Sequence, residues 1–245
     1  MSGTRLGRTV CAALLGLDGH PVEVEAQVSQ GLVQWIVTGL PDAGVLEARD
    51  RVRAALTASG WTAPQQRLTV NLSPAGLPKS GTAFDLGVAV AVLGAMGEVP
   101  EHVARMGHVG ELGLDGGVRR TPGVLPAVLG LRRAGVRDVV VPASAAAEAA
   151  LVPGVRVHGV TTLRDAVALH RGEERPPPPP APQLVAPTGS GPVPGGDLCD
   201  VVGQPMGRRA LEVVAAGGHH LLMLGPPTKT LQRYRLGLDR RCGCN

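Results

Sequence analysis

At 245 residues the chain has room for one or two domains, and its net charge of +4 is a mild field for that length. Apolar residues make up 44%, but the longest apolar run, Leu86 to Gly97, falls well short of the ~20 residues that cross a bilayer. The basic residues are 22 Arg against two Lys (Lys79 and Lys229), which reads as the codon bias of a GC-rich genome rather than a nucleic-acid signature. Only Trp35, Trp61, Phe84 and Tyr234 are aromatic, too few for a channel that stacks single-stranded bases on rings.

Arg5 and Arg8 precede the apolar Val10 to Leu17, which imitates a signal peptide. With no Ala-x-Ala cleavage site and with Asp18-Gly19 following, this segment reads as a strand and a turn, and the chain as cytoplasmic. Val22, Val24, Ala26 and Val28 alternate with Glu23, Glu25, Gln27 and Ser29, the pattern of a half-buried strand. Gln30-Gly31 turns the chain into a second strand, Leu32 to Thr38. Val45, Ala48, Val52, Ala55 and Leu56 recur at helical spacing, with Glu47, Arg49, Asp50 and Arg53 on the wet face and Ser59-Gly60 as the stop. Leu68, Val70 and Leu72 form another alternating strand.

The next helix starts near Thr82, with Thr82 and Asp85 spaced as a capping box, and is apolar nearly all round from Leu86 to Met96. Strand signals return from Val109 to Val118 around an Asp115-Gly116 hairpin turn. A helix over Val124 to Ala134, a strand over Asp138 to Val141 and weaker αβα pieces follow, as far as His170. This order predicts an α+β fold, a mixed sheet with packed helices, over residues 1–170.

Residues 171–196 hold nine prolines, including Pro176 to Pro180, and read as a semi-extended linker. A second folded unit, 197–245, starts at Asp197. Its Leu221 to Gly225 reads as a buried strand running into Gly225-Pro226-Pro227-Thr228-Lys229-Thr230, with His219-His220 at the strand's entrance. A phosphate-binding loop needs Gly-x-x-x-x-Gly-Lys-Ser/Thr, so that backbone N–H groups wrap the phosphates and the Lys reaches the outer ones. Gly225, Lys229 and Thr230 keep part of that pattern, but the loop is two residues short and lacks its second glycine. Cys11 and Cys199 are isolated and Cys242 and Cys244 form a C-x-C. Neither they nor the seven scattered histidines have metal-site spacing, so no metal is expected.

Three runs carry a resemblance: GLPDAGVLEARDRVRAALTASG (Gly39 to Gly60), TVNLSPAGLPKSGTAFDLGVAVAVL (Thr69 to Leu93) and DLCDVVGQPMGRRALEVVAAGGHHLLMLGPP (Asp197 to Pro227). They resemble the ComM/YifB proteins, magnesium-chelatase-like AAA+ proteins of bacteria. The resemblance implies a Lon-protease-like N-terminal domain, then an AAA+ motor, then a chelatase-like piece. It also implies ATP and Mg as cofactors, DNA as partner, a ring-forming homo-oligomer, and a branch-migration helicase role in natural transformation.

Two departures bear on this chain. In Lon-type proteases the segment resembling Pro78 to Asp85 presents a nucleophilic Ser, and the segment resembling Gly110 to Pro142 supplies a Lys that activates it. Those positions fall on Ala83 and Leu125, so no catalytic residue is expected; neighbouring Lys79 and Ser80 are read as parts of a helix entrance, with a solvated Lys. An anion held by Lys79, Ser80, Gly81 and Thr82 is a secondary expectation. The other departure is the phosphate loop, where the family pattern reads Gly-Pro-Pro-Gly-Thr-Gly-Lys-Thr. The tail LQRYRLGLDRRCGCN shows no continuation of the motor and reads as translation in another frame. The expectation is thus a truncated family member whose N-terminal domain is a non-catalytic interaction module without bound ATP. The alternatives are an ATP binder with an altered loop and a Ser-Lys peptidase.

Overall fold

Strands β1 (Arg5–Leu15) and β2 (Asp18–Ser29) form an antiparallel hairpin in which Leu15 lies opposite Asp18, so the turn is Gly16-Leu17. Gly16 takes φ +62°, as the first position of a two-residue primed turn requires. The turn expected at Asp18-Gly19 is therefore displaced. Gly19 is needed inside β2 instead, where an added Cβ would lie 2.3 Å from the Pro126 carbonyl oxygen. The structure is a computed structural model describing residues 5–173, 205–219 and 221; the chain separates into two units, Met1–Leu184 and Val185–Asn245.

In the first unit, β3 (Gln34–Thr38) pairs in parallel with β4 (Arg67–Ser73), and β4 runs antiparallel to β2. Helix α1 (Ala43–Ala58) connects β3 to β4 and buries Val45, Ala48, Val52, Ala55 and Leu56, the five residues its spacing selects. Asp42 caps it, its Oδ1 accepting from the Val45 N–H at 2.8 Å, and Ser59 with Gly60 (φ +90°) ends it. Helix α2 (Asp85–Met96) is buried from Asp85 through Leu93. Burial of Leu86, Val88, Val90, Val92 and Leu93 contributes about 1.5–3 kcal/mol each against exposure, which overrides the modest helix propensity of its valines.

The chain continues through β5 (Gly107–His108), the small antiparallel pair β6 (Glu111–Leu112) and β7 (Val118–Arg119), and α3 (Val124–Arg133). Then come β8 (Asp138–Pro142), the short α4 (Ala146–Ala149), β9 (Arg156–Val160) and α5 (Leu163–Arg171). The main sheet has the order β3-β4-β2-β1-β5-β8-β9. Four of its six pairings are parallel, so the mixed sheet anticipated from the sequence belongs to a mixed α/β domain rather than an α+β one.

Two apolar clusters cover the two faces. Cys11 and Ala13 of β1 join the cluster that includes Val22, Val24, Leu68, Val70 and the α2 residues. Ala12, Val10 and Leu14 point the other way, toward Val124, Val128 and Leu131 of α3. A strand sandwiched between α2 and α3 is apolar on both faces, and so Val10 to Leu14 is an unbroken apolar run, while Leu15 and Leu17 beyond it are exposed at the hairpin end. Glycines set how close the helices come. A Cβ on Gly7 would sit 1.9 Å from the Ala91 carbonyl oxygen of α2, and one on Gly130 of α3 would sit 2.1 Å from the Gly19 carbonyl oxygen.

Helix α5 opens on a capping box: Asp165 N–H donates to Thr162 Oγ1 at 3.1 Å and Thr162 N–H to Asp165 Oδ2 at 2.9 Å. In its last turn, His170 brings Nε2 to 3.0 Å from Nε2 of His108, both rings buried. Burial, and then the neighbouring His170, pushes His108 well below the usual imidazole range. In the second unit, α6 (Pro205–Gly217) buries Leu211 and carries an exposed Arg209–Glu212 pair at 3.2 Å. No helix among the described residues is long and apolar enough to cross a membrane.

Candidate functional site at two helix entrances

The loop from Pro74 to Phe84 leads into α2, and the ends of β3 and β4 place it. Lys79 N–H donates to the Leu40 carbonyl at 3.3 Å, and Asp42 N–H to the Lys79 carbonyl at 2.9 Å. Asp42 serves both sides, because its Oδ2 accepts from the Gly81 N–H at 3.2 Å while Oδ1 caps α1. Gly81 takes φ +85°, which turns the chain toward the helix.

Lys79 is fully buried, and its ammonium donates to the Pro74 carbonyl. Burial lowers its pKa from the usual lysine value. The solvated lysine expected at this place is thus an internal brace of the loop. Ser80 is exposed, and no hydrogen bond joins it to Lys79 among the described residues. An anion at this loop is also disfavoured: the Gly81 N–H is taken by Asp42, and the Leu86 N–H of the first helical turn by the Gly110 carbonyl at 3.1 Å.

The capping box expected between Thr82 and Asp85 does not form. Thr82 Oγ1 donates to Glu111, and the residue before the helix, Phe84, has no side-chain cap. Asp85 is fully buried, and the Arg51 guanidinium meets its two oxygens at 2.6 and 2.9 Å. The Leu112 N–H adds a third bond at 3.2 Å, and Arg51 also donates to the Gly44 carbonyl at 2.9 Å. Burial is the largest influence on Asp85 and raises its pKa, with Arg51 pulling the other way. Spacing alone suggested a cap because Asp at the third position looks the same whether it reaches back to Thr82 or across to α1.

Ala83 and Leu125, the positions that the Lon resemblance assigns to nucleophile and base, are both partly buried and pack on the same apolar cluster. The Ala83 carbonyl accepts from the Gly110 N–H at 3.1 Å. At the entrance of α3, the Leu125 N–H donates to Glu148 Oε1 at 3.2 Å, and the other Glu148 oxygen pairs with Arg120. A carboxylate facing a helix N-terminus is the favoured charge there. Neither Ala83 nor Leu125 carries a group that can attack a carbonyl or take a proton. Sequence reasoning missed Glu148, Arg120 and Arg51 because each meets its partner across the fold, 23 to 34 residues away. Cys11 beneath α2 is buried, and burial pushes its thiol far above the usual range, which makes it an inert core residue.

Gly225, Lys229 and Thr230 lie outside the described residues, as do Cys199, Cys242, Cys244, most of the Pro-rich segment 171–196 and all but Leu221 of the strand expected over Leu221 to Gly225. No group of three or more His, Cys, Asp or Glu side chains suited to a metal ion occurs among the described residues.

Comparison with known proteins adds what this geometry leaves open. Residues 24–145 match the family model described as subunit ChlI of Mg-chelatase, and residues 197–236 match that of magnesium chelatase, subunit ChlI. The chain is 46% identical over 234 residues to an uncharacterized protein of Mycobacterium tuberculosis, covering 94% of this chain and 46% of that one. It is 39% identical over 227 residues to the protein YifB of Salmonella typhimurium, covering 91% of this chain and 44% of the relative. With the competence protein ComM of Haemophilus influenzae it shares 37% identity over 232 residues, again 91% of this chain and 44% of the relative. The chain thus spans about half the length of the curated relatives it matches. Both chelatase-type matches fall in the order of the three runs that carry the resemblance, and the chain belongs to the ComM/YifB family.

Proposed function

We propose that residues 5–173 form a Lon-protease-like domain that keeps the fold without the chemistry and serves as an interaction and assembly module of a ComM/YifB-type protein. The observation that carries this reading is the pair Ala83 and Leu125. Both stand at helix entrances on one apolar cluster, and protein groups already occupy the backbone around them: Gly110 at Ala83, Glu148 at Leu125. A peptide carbonyl brought there would meet neither a nucleophile nor a base. The name of the Haemophilus relative supports a role in competence; DNA as partner, a ring-forming homo-oligomer of the intact family and a cytoplasmic location rest on the family resemblance alone.

The same reading makes this chain a poor nucleotide binder. Six residues from Gly225 to Thr230 replace the eight of a phosphate loop, and two of the glycines that turn N–H groups toward phosphate are gone. The purified chain is expected to leave casein intact and to show no ATP binding in the micromolar range. Casein cleavage abolished by Ser80→Ala would favour a Ser-Lys peptidase. Micromolar ATP binding lost on Lys229→Ala would favour an ATP binder with an altered loop.

A further inference from the structure

At the far end of α3 and β8 four arginines gather: Arg132, Arg133, Arg137 and Arg156. Two are neutralised, Arg156 by Asp138 at 2.6 Å and Arg133 by Asp18 at 3.6 Å. The other two have no carboxylate within 4.0 Å among the described residues. They converge instead on the loop between α4 and β9. Arg132 Nε donates to the Pro153 carbonyl at 3.1 Å and Arg137 Nη1 to the Gly154 carbonyl at 3.4 Å. Each guanidinium offers five N–H donors, and these bonds use one from each.

Gly154, exposed and at φ +74°, leaves a notch between them. A Cβ there would stand 3.2 Å from Arg132 Nε, 3.5 Å from its Nη2 and 3.5 Å from Arg137 Nη1. The two guanidinium groups therefore reach within about 7 Å of one another beside a surface that bears no side chain. Like charges held that close without an acid repel, and an anion between them relieves the repulsion. A carboxylate has two oxygens and satisfies one guanidinium fork, whereas the oxygens of a phosphate group can serve two forks at once.

We propose that the notch over Gly154, walled by Arg132 and Arg137, is a binding site for a phosphate group. It stands apart from both helix entrances, and it does not depend on the function proposed above. The phosphate can be a free ion, part of a nucleotide or part of a nucleic-acid backbone, and the test separates these sources.

The full chain, labelled with ¹⁵N, is titrated at constant ionic strength with inorganic phosphate, with ADP and with a short DNA duplex, chloride serving as the reference anion. The Gly154 and Arg137 amides and the Arg132 side-chain Nε–H are followed. Saturable shifts at these groups with inorganic phosphate identify a small-ion site. Shifts with ADP alone identify a nucleotide site, and shifts with duplex alone a backbone-phosphate site. Arg132→Gln combined with Arg137→Gln is expected to weaken whichever binding is found by about tenfold or more. In the duplex arm the same change lowers the slope of log K against log salt by about 2, one for each arginine removed. If the double variant folds poorly, Arg137→Gln alone is read in the same way. No saturable shift with any of the three probes overturns the proposal, and so does equal binding by wild type and variant.

Discussion

Helices α2 and α3 pack on opposite faces of the same strand, β1, and their entrances are built differently. That of α2 rests on a fully buried carboxylate, Asp85, held by Arg51 and the Leu112 N–H. That of α3 rests on Glu148, a quarter exposed, held by Arg120, half exposed. Both arrangements bring a carboxylate to a helix start. The buried one is costly to break because it would strand a charge in the core; the exposed one is cheap because water can substitute.

The glycines at the two helix–sheet contacts give the widest contrast. Gly7→Ala pushes a methyl into the backbone of α2 in the middle of the sheet, where neither element can retreat. A loss of about 3 kcal/mol or more in urea unfolding is expected. Gly130→Ala meets the Gly19 backbone near the tip of the β1–β2 hairpin, which can shift, so a smaller loss of about 1–2 kcal/mol is expected. Equal losses would mean that the hairpin tip is as fixed as the sheet centre.

Arg51→Met comes next, leaving Asp85 buried without its cation. Destabilisation of about 3 kcal/mol is expected, at the low end for a broken buried pair because Arg51 is partly exposed. The loss should shrink as pH falls. Asp85 has its folded pKa raised above 3.8, so the folded state holds the proton more tightly, and stability falls as pH rises from 3.8 through the raised value. Removing Arg51 raises that pKa further and widens the window. A loss independent of pH from 4 to 7, measured by unfolding across that range, would show that Asp85 is not the group left unpaired.

Glu148→Gln removes the charge at the α3 entrance while keeping an oxygen for the Leu125 N–H, and about 1 kcal/mol or less is expected. The smallest effect belongs to Asp138, whose pKa is lowered to about 2, chiefly by Arg156. Its contribution is present above 3.8 and is lost as pH falls from 3.8 toward 2, so Asp138→Asn should flatten the acid limb of the stability curve there and leave neutral pH little changed.

Much of this molecule was legible before folding, and the legible part has one character. The five buried positions of α1, the alternation of β2 and β4, and the apolar run of α2 each follow from periodicity within a single element. The parallel majority of the sheet was not legible, since strand partners come from segments far apart, as when β5 inserts beside β1. At the candidate site, Ala83 and Leu125 came from the family resemblance, whereas their surroundings came from the structure.

Thr82 and Thr162 mark the boundary between the two kinds of knowledge. Both precede an Asp by three residues, and of the two only Thr162 makes the capping box, because no cation pairs with Asp165 among the described residues while Asp85 is claimed by Arg51 of another helix. In the same way, Lys79 and His108 read as ordinary polar residues until the fold buries one against the Pro74 carbonyl and the other against His170. The sequence by itself determined which faces of the strands and helices are apolar, whereas the roles weighed at Ala83 and Leu125 rest on the family resemblance. The tertiary structure alone decided which charges meet and which are buried, because a side chain's partner is set by long-range packing and desolvation that local spacing does not record.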